Sequence, residues 1–138
     1  TLLVITVLVI FVCIDSFYQF LNYTPENGFG KDLLGFKSNW YGRLTGPFGD
    51  ELIPGSYISK FGLLGFAFLI SIKKFENNII FHSIYLSSIL FISYISGERM
   101  AFATFGLGLA FLFIFLSGFR KSIFLSIIVG IFFYIFSD

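Results

Sequence analysis

An all-α, polytopic membrane protein is the fold class this sequence predicts, and three observations carry that expectation. Hydrophobic residues fill 57% of 138 positions, charged residues only 12%, and 22 positions are phenylalanine; soluble domains lie near about 45 to 50% apolar and about 25% charged. The apolar residues gather into five runs, several of them close to the roughly 20 residues with which a helix crosses a bilayer core. Two of the short connections between runs carry paired basic residues, Lys73-Lys74 and Arg120-Lys121, as loops on the cytoplasmic side of a membrane do. A net charge of +1 without a basic stripe gives nucleic acid no footprint as a partner. The single cysteine, Cys13, excludes an internal disulfide framework and a cysteine-based metal site.

The first run, Leu2 to Ile14, is too short to span and lacks the basic start and small-residue cleavage site of a signal peptide. It reads as the back half of a truncated helix, and residues 1–138 as a single membrane-domain fragment of a longer protein. A long loop is expected from Asp15 to Leu52. Its charges are mixed, and its aromatic residues Phe29, Phe36, Trp40, Tyr41 and Phe48 suit a membrane surface. The second run, Ile53 to Ile72, begins beside Pro54, which fits the first turn of a helix. In it Ser56, Ser59 and Lys60 follow at i, i+3 and i+4, and Gly55 with Ser59 makes a small-xxx-small pair, so this face is expected to look into the protein. The third run, Ile79 to Ser96, carries Ser83, Ser87 and Tyr94 on one stripe, serines that in membranes most often bond their own backbone. The fourth, Met100 to Leu116, contains Gly106 and Gly108, expected to allow close helix approach. The fifth runs from Ile123 to Phe136.

Alternation across a membrane makes the topology self-consistent. With Lys73-Lys74 and Arg120-Lys121 inside, the long loop and the Gly97 to Arg99 connection both fall outside. Arg43 and Arg99, far apart in sequence, thereby meet at a face where basic residues are ordinarily disfavoured. Arg99 stands in the first turn of a predicted helix, where a cation opposes the partial positive charge of unpaired N–H groups. An anion held between those groups and the guanidinium reverses the penalty, and a diphosphate suits arginine's planar fork. The alternative is that Arg99 snorkels to the interface and pairs with Glu98. Lys60, one to two turns inside an apolar run, is expected to find an anionic partner or water, with snorkelling as its alternative. Asp50 and Glu51, at a helix entrance, are expected to complement the helix dipole. His82 lies toward the opposite end, one histidine makes no metal site, and no P-loop, HExxH or GxSxG pattern occurs.

The segment Arg43-Leu44-Thr45-Gly46-Pro47-Phe48-Gly49-Asp50, followed by Gly55-Ser56-Tyr57, and the segment Ser96-Gly97-Glu98-Arg99-Met100-Ala101-Phe102 resemble the two arginine motifs of the O-antigen ligase and O-antigen polymerase family. The upstream Asp15-Ser16-Phe17-Tyr18-Gln19-Phe20 resembles that family's approach to the same loop. Such short motifs point to the superfamily and do not separate ligase from polymerase. The resemblance implies an all-helical membrane glycosyltransferase of the type C class in the bacterial inner membrane, acting at its periplasmic face. Its donor would be an undecaprenyl-diphosphate-linked glycan and its acceptor the lipid A core or a growing glycan, with no cofactor and no metal. Arg43 and Arg99 would be catalytic, binding the diphosphate as the lipid leaves, and Lys60 and Tyr57 would join them in substrate binding. Stabilisation of this kind is worth about 3 to 4 kcal/mol per donor. The ligases' further histidine and large periplasmic loop would lie after Asp138. A transporter or flippase of lipid-linked sugars, or a non-catalytic membrane subunit, are the competing classes.

Overall fold

The computed structural model describes residues 1–49, 51–74 and 76–137, the last by its backbone. Five α-helices follow one another: α1 (Leu2–Leu21), α2 (Pro54–Ser71), α3 (Ile79–Ile95), α4 (Arg99–Phe115) and α5 (Arg120–Ser137), with short 3-10 turns at Gly46–Phe48 and Ser117–Phe119. Among the described residues there is no strand, only the isolated bridges Thr24 to Gly28 and Lys31 to Lys37 in the long loop. The all-α class is therefore what the apolar runs predict. The stretches Leu2–Leu21 and Ser117–Phe136 are long and apolar enough to cross a membrane; Ile79–Ile95 and Arg99–Phe115 are shorter apolar helices.

The N-terminal boundary corrects the sequence reading. α1 runs for 20 residues, Leu2–Leu21, seven past the end of the apolar run at Ile14, and the loop starts at Asn22 instead of Asp15. Polar residues Asp15, Ser16 and Gln19 do not stop it, because they continue the buried stripe of Thr6, Val9 and Val12 at helical spacing. The loop folds back over this end. Asp15 Oδ1 accepts the Leu33 N–H at 2.9 Å, Asp32 Oδ1 accepts the Phe36 N–H at 2.7 Å, and Phe29 packs on Phe20 and Tyr23 at ring distances of 5.8 and 5.3 Å.

α2 is the central helix, packed against α1, α3 and α4. Proline stands at its first position, and its buried face runs through Gly55, Ile58, Ser59, Gly62, Gly65, Phe66 and Leu69. The missing side chains let α3 come close: a Cβ on Gly62 would stand 2.6 Å from Ile89 Cδ1, and one on Gly65 would strike the Tyr85 hydroxyl, which donates to the Gly62 carbonyl at 2.9 Å. Gly108 likewise brings α4 onto Leu63 of α2, whereas nothing lies within 4 Å of the Cβ position at Gly106, so only one of the two α4 glycines serves close approach.

Serines behave as the sequence suggests. Ser83 and Ser87 donate to the carbonyls of Ile79 and Ile84 at 2.7 and 3.0 Å, and Ser83 also reaches the Ser122 carbonyl of α5 at 3.3 Å. Phe66, Phe105, Leu86 and Ile58 fill the core, while many other large apolar side chains point outward: Ile80, Leu107, Phe115 and Phe136 are 69, 67, 73 and 71% exposed. His82 is buried among Phe66, Phe81 and Phe119 at the end opposite the long loop, and its Nε2 lies 3.3 Å from the Glu76 carbonyl.

Candidate functional site

The loop ahead of α2 and the α3–α4 connection meet at one end of the bundle, and three polar contacts hold them there. Gln19, fully buried on α1, accepts the N–H groups of Thr45 and Gly46 at 3.0 and 2.9 Å and donates to Thr45 Oγ1 at 3.3 Å. This fixes the segment that follows Arg43. The Arg43 guanidinium then crosses to α3–α4, its Nη2 donating to the Gly97 carbonyl at 3.1 Å over 54 positions of sequence. Gly97 is in the left-handed region at φ +78°, and a Cβ there would stand 3.4 Å from Arg43 Cγ and Nε, so the turn and the crossing side chain both favour glycine.

Glu98 makes the third contact. Its carboxylate accepts the N–H groups of Gly55 and Ser56, each at 3.0 Å, and the Ser56 hydroxyl. Those are donors at the start of α2, where a negative charge is stabilised by unpaired N–H groups and the helix dipole. Gly55 permits this approach, because a Cβ there would run into Ser96 Oγ and stand 3.2 Å from Glu98. Glu98, more than forty positions from Gly55 and Ser56 in sequence, thus puts a carboxylate at the start of α2. Glu51 is exposed, and Asp50 is outside the described residues.

With Glu98 engaged on α2, Arg99 has no ion pair or hydrogen bond from its side chain among the described residues, and it is exposed at the first position of α4. The pairing of Arg99 with Glu98 is therefore not what the fold adopts. Arg43 is exposed as well and, among the described residues, uses one of its five N–H donors on Gly97. Tyr57, half-buried one position past Ser56, packs between Phe48 and Phe61 at ring distances of 5.5 and 4.8 Å. Nearby in the loop, the Tyr23 phenol is held above its ordinary pKa, first by its hydrogen bond with the Tyr41 hydroxyl at 3.2 Å and then by desolvation.

Lys60 departs from expectation. Ser59 is buried and Ser56 half-buried, but Lys60 is exposed, with no hydrogen bond or ion pair among the described residues. At about 100° per residue, the buried stripe through Gly55, Ser59, Gly62 and Phe66 leaves Lys60 almost on the opposite side of α2. The i, i+3, i+4 spacing placed three residues near one another, while the buried face is centred between Ile58 and Ser59. Lys60 therefore lies on the exposed side of α2, three positions past Tyr57. No family model, curated protein or solved structure matches this chain. The roles of Gln19 and Glu98 have no signature in the sequence, because their partners are backbone N–H groups that no side-chain pattern reveals.

Proposed function

We propose that the chain is part of an inner-membrane glycosyltransferase of the O-antigen ligase and polymerase type, in which Arg43 and Arg99 bind the diphosphate of a lipid-linked glycan at the periplasmic face. The observation that carries this reading is the joining of the two arginine segments through Arg43 and Gly97, with Glu98 drawn away to α2. Among the described residues Arg99 is left without a compensating partner at a helix start, where an anionic ligand would stabilise it. Together the two guanidinium groups offer forked donors to an anion bearing two phosphates. As the bond to the sugar's anomeric carbon breaks, negative charge grows on the departing diphosphate, and donors already in place stabilise it without reorganising. Tyr57 would add an aromatic wall. Lys60 is not part of this reading.

A membrane location is supported by the many exposed phenylalanines beside buried serines, and by the two stretches long enough to span. The test is conservative substitution in the full-length protein. Arg43→Lys and Arg99→Lys keep charge but lose the fork, so each should lower glycan transfer about ten- to a hundredfold at limiting donor, with expression unchanged. Parental transfer by both variants at matched protein levels would remove the diphosphate clamp.

A further inference from the structure

Between Lys31 and Lys37 the long loop makes a tight turn that shows apolar side chains to its surroundings. Leu33, Leu34 and Phe36 are exposed, and the exposed Lys31 and Lys37 flank them, paired across an isolated antiparallel bridge. The backbone of the turn closes on itself and on α1. Asp32 donates its N–H to the Phe36 carbonyl at 2.9 Å, and the Gly35 N–H donates to the Asp32 carbonyl at 3.2 Å. Asp32 Oδ1 takes the Phe36 N–H, and Asp15 Oδ1 on α1 takes the Leu33 N–H. Gly35 supplies the left-handed corner at φ +88°. The N–H groups of Asp32, Leu33, Gly35 and Phe36 are thus paired without water, as a backbone that leaves water requires.

The bond to Asp15 also sets the height of the turn. Asp15 stands six positions before Leu21, where α1 ends, so Leu33 is held about 9 Å back along the helix from that end. Phe17 and Tyr18 are exposed on α1 within a turn of the same level. Because Leu2–Leu21 is long and apolar enough to cross a bilayer, a turn hung on Asp15 lies at the height of the membrane boundary and not above it. Apolar side chains enter the headgroup and acyl boundary to about 5 to 10 Å, which matches this depth. Two lysines paired across strands repel, and anionic headgroups offset that repulsion while the lysine stems lie along apolar surface.

We propose that the 32–36 turn is a membrane anchor: Leu33, Leu34 and Phe36 enter the headgroup and acyl boundary beside α1, and Lys31 and Lys37 bind the phosphates of anionic phospholipids. The anchor fixes the loop that carries Arg43 against the bilayer. It rests on the membrane location of the bundle and is independent of the diphosphate clamp.

Nitroxide labels on single cysteines test it, in a Cys13→Ser background of the full-length protein in phosphatidylcholine nanodiscs with and without phosphatidylglycerol. Leu34→Cys reports the turn, Glu26→Cys the watery part of the loop and Leu107→Cys the outer face of α4; all three positions are exposed, so labelling leaves the packing intact. Labels at Leu34 and Leu107 should be relaxed by oxygen and shielded from a water-soluble nickel chelate, with an oxygen-to-nickel ratio several-fold above that at Glu26. Phosphatidylglycerol should raise the ratio at Leu34 further, and Lys31→Gln with Lys37→Gln should abolish that rise. Nickel access at Leu34 with Leu107 still shielded would overturn the anchor and leave the bundle in the membrane. Nickel access at both would remove the membrane location and the anchor with it. Shielding of Leu34 from both reagents would mean that protein covers the turn, which overturns a lipid contact. A ratio at Leu34 indifferent to phosphatidylglycerol in the parent would overturn the binding of anionic headgroups by the two lysines.

Discussion

At the scale of single residues, Glu98 and Gln19 hold the site together by taking backbone donors that otherwise have no partner. Glu98 accepts two N–H groups and a hydroxyl at the start of α2, and hydrogen bonds to a charged acceptor contribute about 1.5 to 3 kcal/mol. Glu98→Ala should therefore lower stability by about 1 to 3 kcal/mol, and Glu98→Gln, which keeps one acceptor oxygen, by less. Thermal unfolding in detergent reads the difference; equal melting of parent and both variants would mean that the carboxylate does not anchor α2. Gln19→Ala should cost at least as much, because the Thr45 and Gly46 N–H groups would be buried without an acceptor. A conserved melting temperature in that variant would show that water replaces the amide. These roles were invisible in the sequence for a physical reason. A carboxylate or amide that caps backbone from a distant segment has no characteristic spacing, whereas Pro54 at the start of α2 and Arg99 at the start of α4 are local signals and were placed correctly.

At the scale of elements, helix positions followed from the length of the apolar runs, while boundaries and faces followed only where one kind of residue marks the core. α2, α3 and α4 begin and end within a residue or so of their apolar runs. α1 outran its apolar stretch by seven residues, because its last two turns bury polar side chains that a hydropathy reading takes for loop. The inward face of α2 was legible through Gly55 and Ser59, yet Lys60 was assigned to it on spacing alone and lies opposite. Glycine roles depend on the neighbouring helix, which sequence does not reveal. Gly65→Ala would press on the Tyr85 hydroxyl that bonds the Gly62 carbonyl, so it should destabilise by about 1 to 3 kcal/mol. Gly106→Ala meets open space and removes a poor helix former, so it should be neutral or stabilising by up to about 1 kcal/mol. Paired denaturation curves on the two variants separate these cases, and the reverse order would mean that α2 and α3 do not approach as described.

For the whole molecule, the alternation expected from two basic clusters has a counterpart in the packing. Gln19 with Thr45, Arg43 with Gly97, and Tyr94 with Tyr134 gather the long loop, the α3–α4 turn and the far half of α5 at one end. His82 with Phe119 and Ser83 with Ser122 gather the α2–α3 and α4–α5 connections at the other, and Arg120 donates to the Phe113 carbonyl there at 2.9 Å. Lys73-Lys74 and Arg120-Lys121 therefore share one end, and Arg43 and Arg99 share the opposite one. If the bundle crosses the inner membrane once per helix, the cluster-bearing end faces the cytoplasm, where positive charge is retained, and the arginine site faces the periplasm. Single cysteines at Lys37 and Lys73, introduced into a Cys13→Ser background of the full-length protein, test the pair of ends directly. An impermeant thiol reagent applied to intact cells with a permeabilised outer membrane should label the Lys37→Cys protein and leave the Lys73→Cys protein unlabelled until the inner membrane is opened. Labelling of both would mean that the two ends are not separated by a bilayer, and labelling of Lys73→Cys alone would turn the molecule over, placing Arg43 and Arg99 where a periplasmic lipid-linked glycan does not reach them.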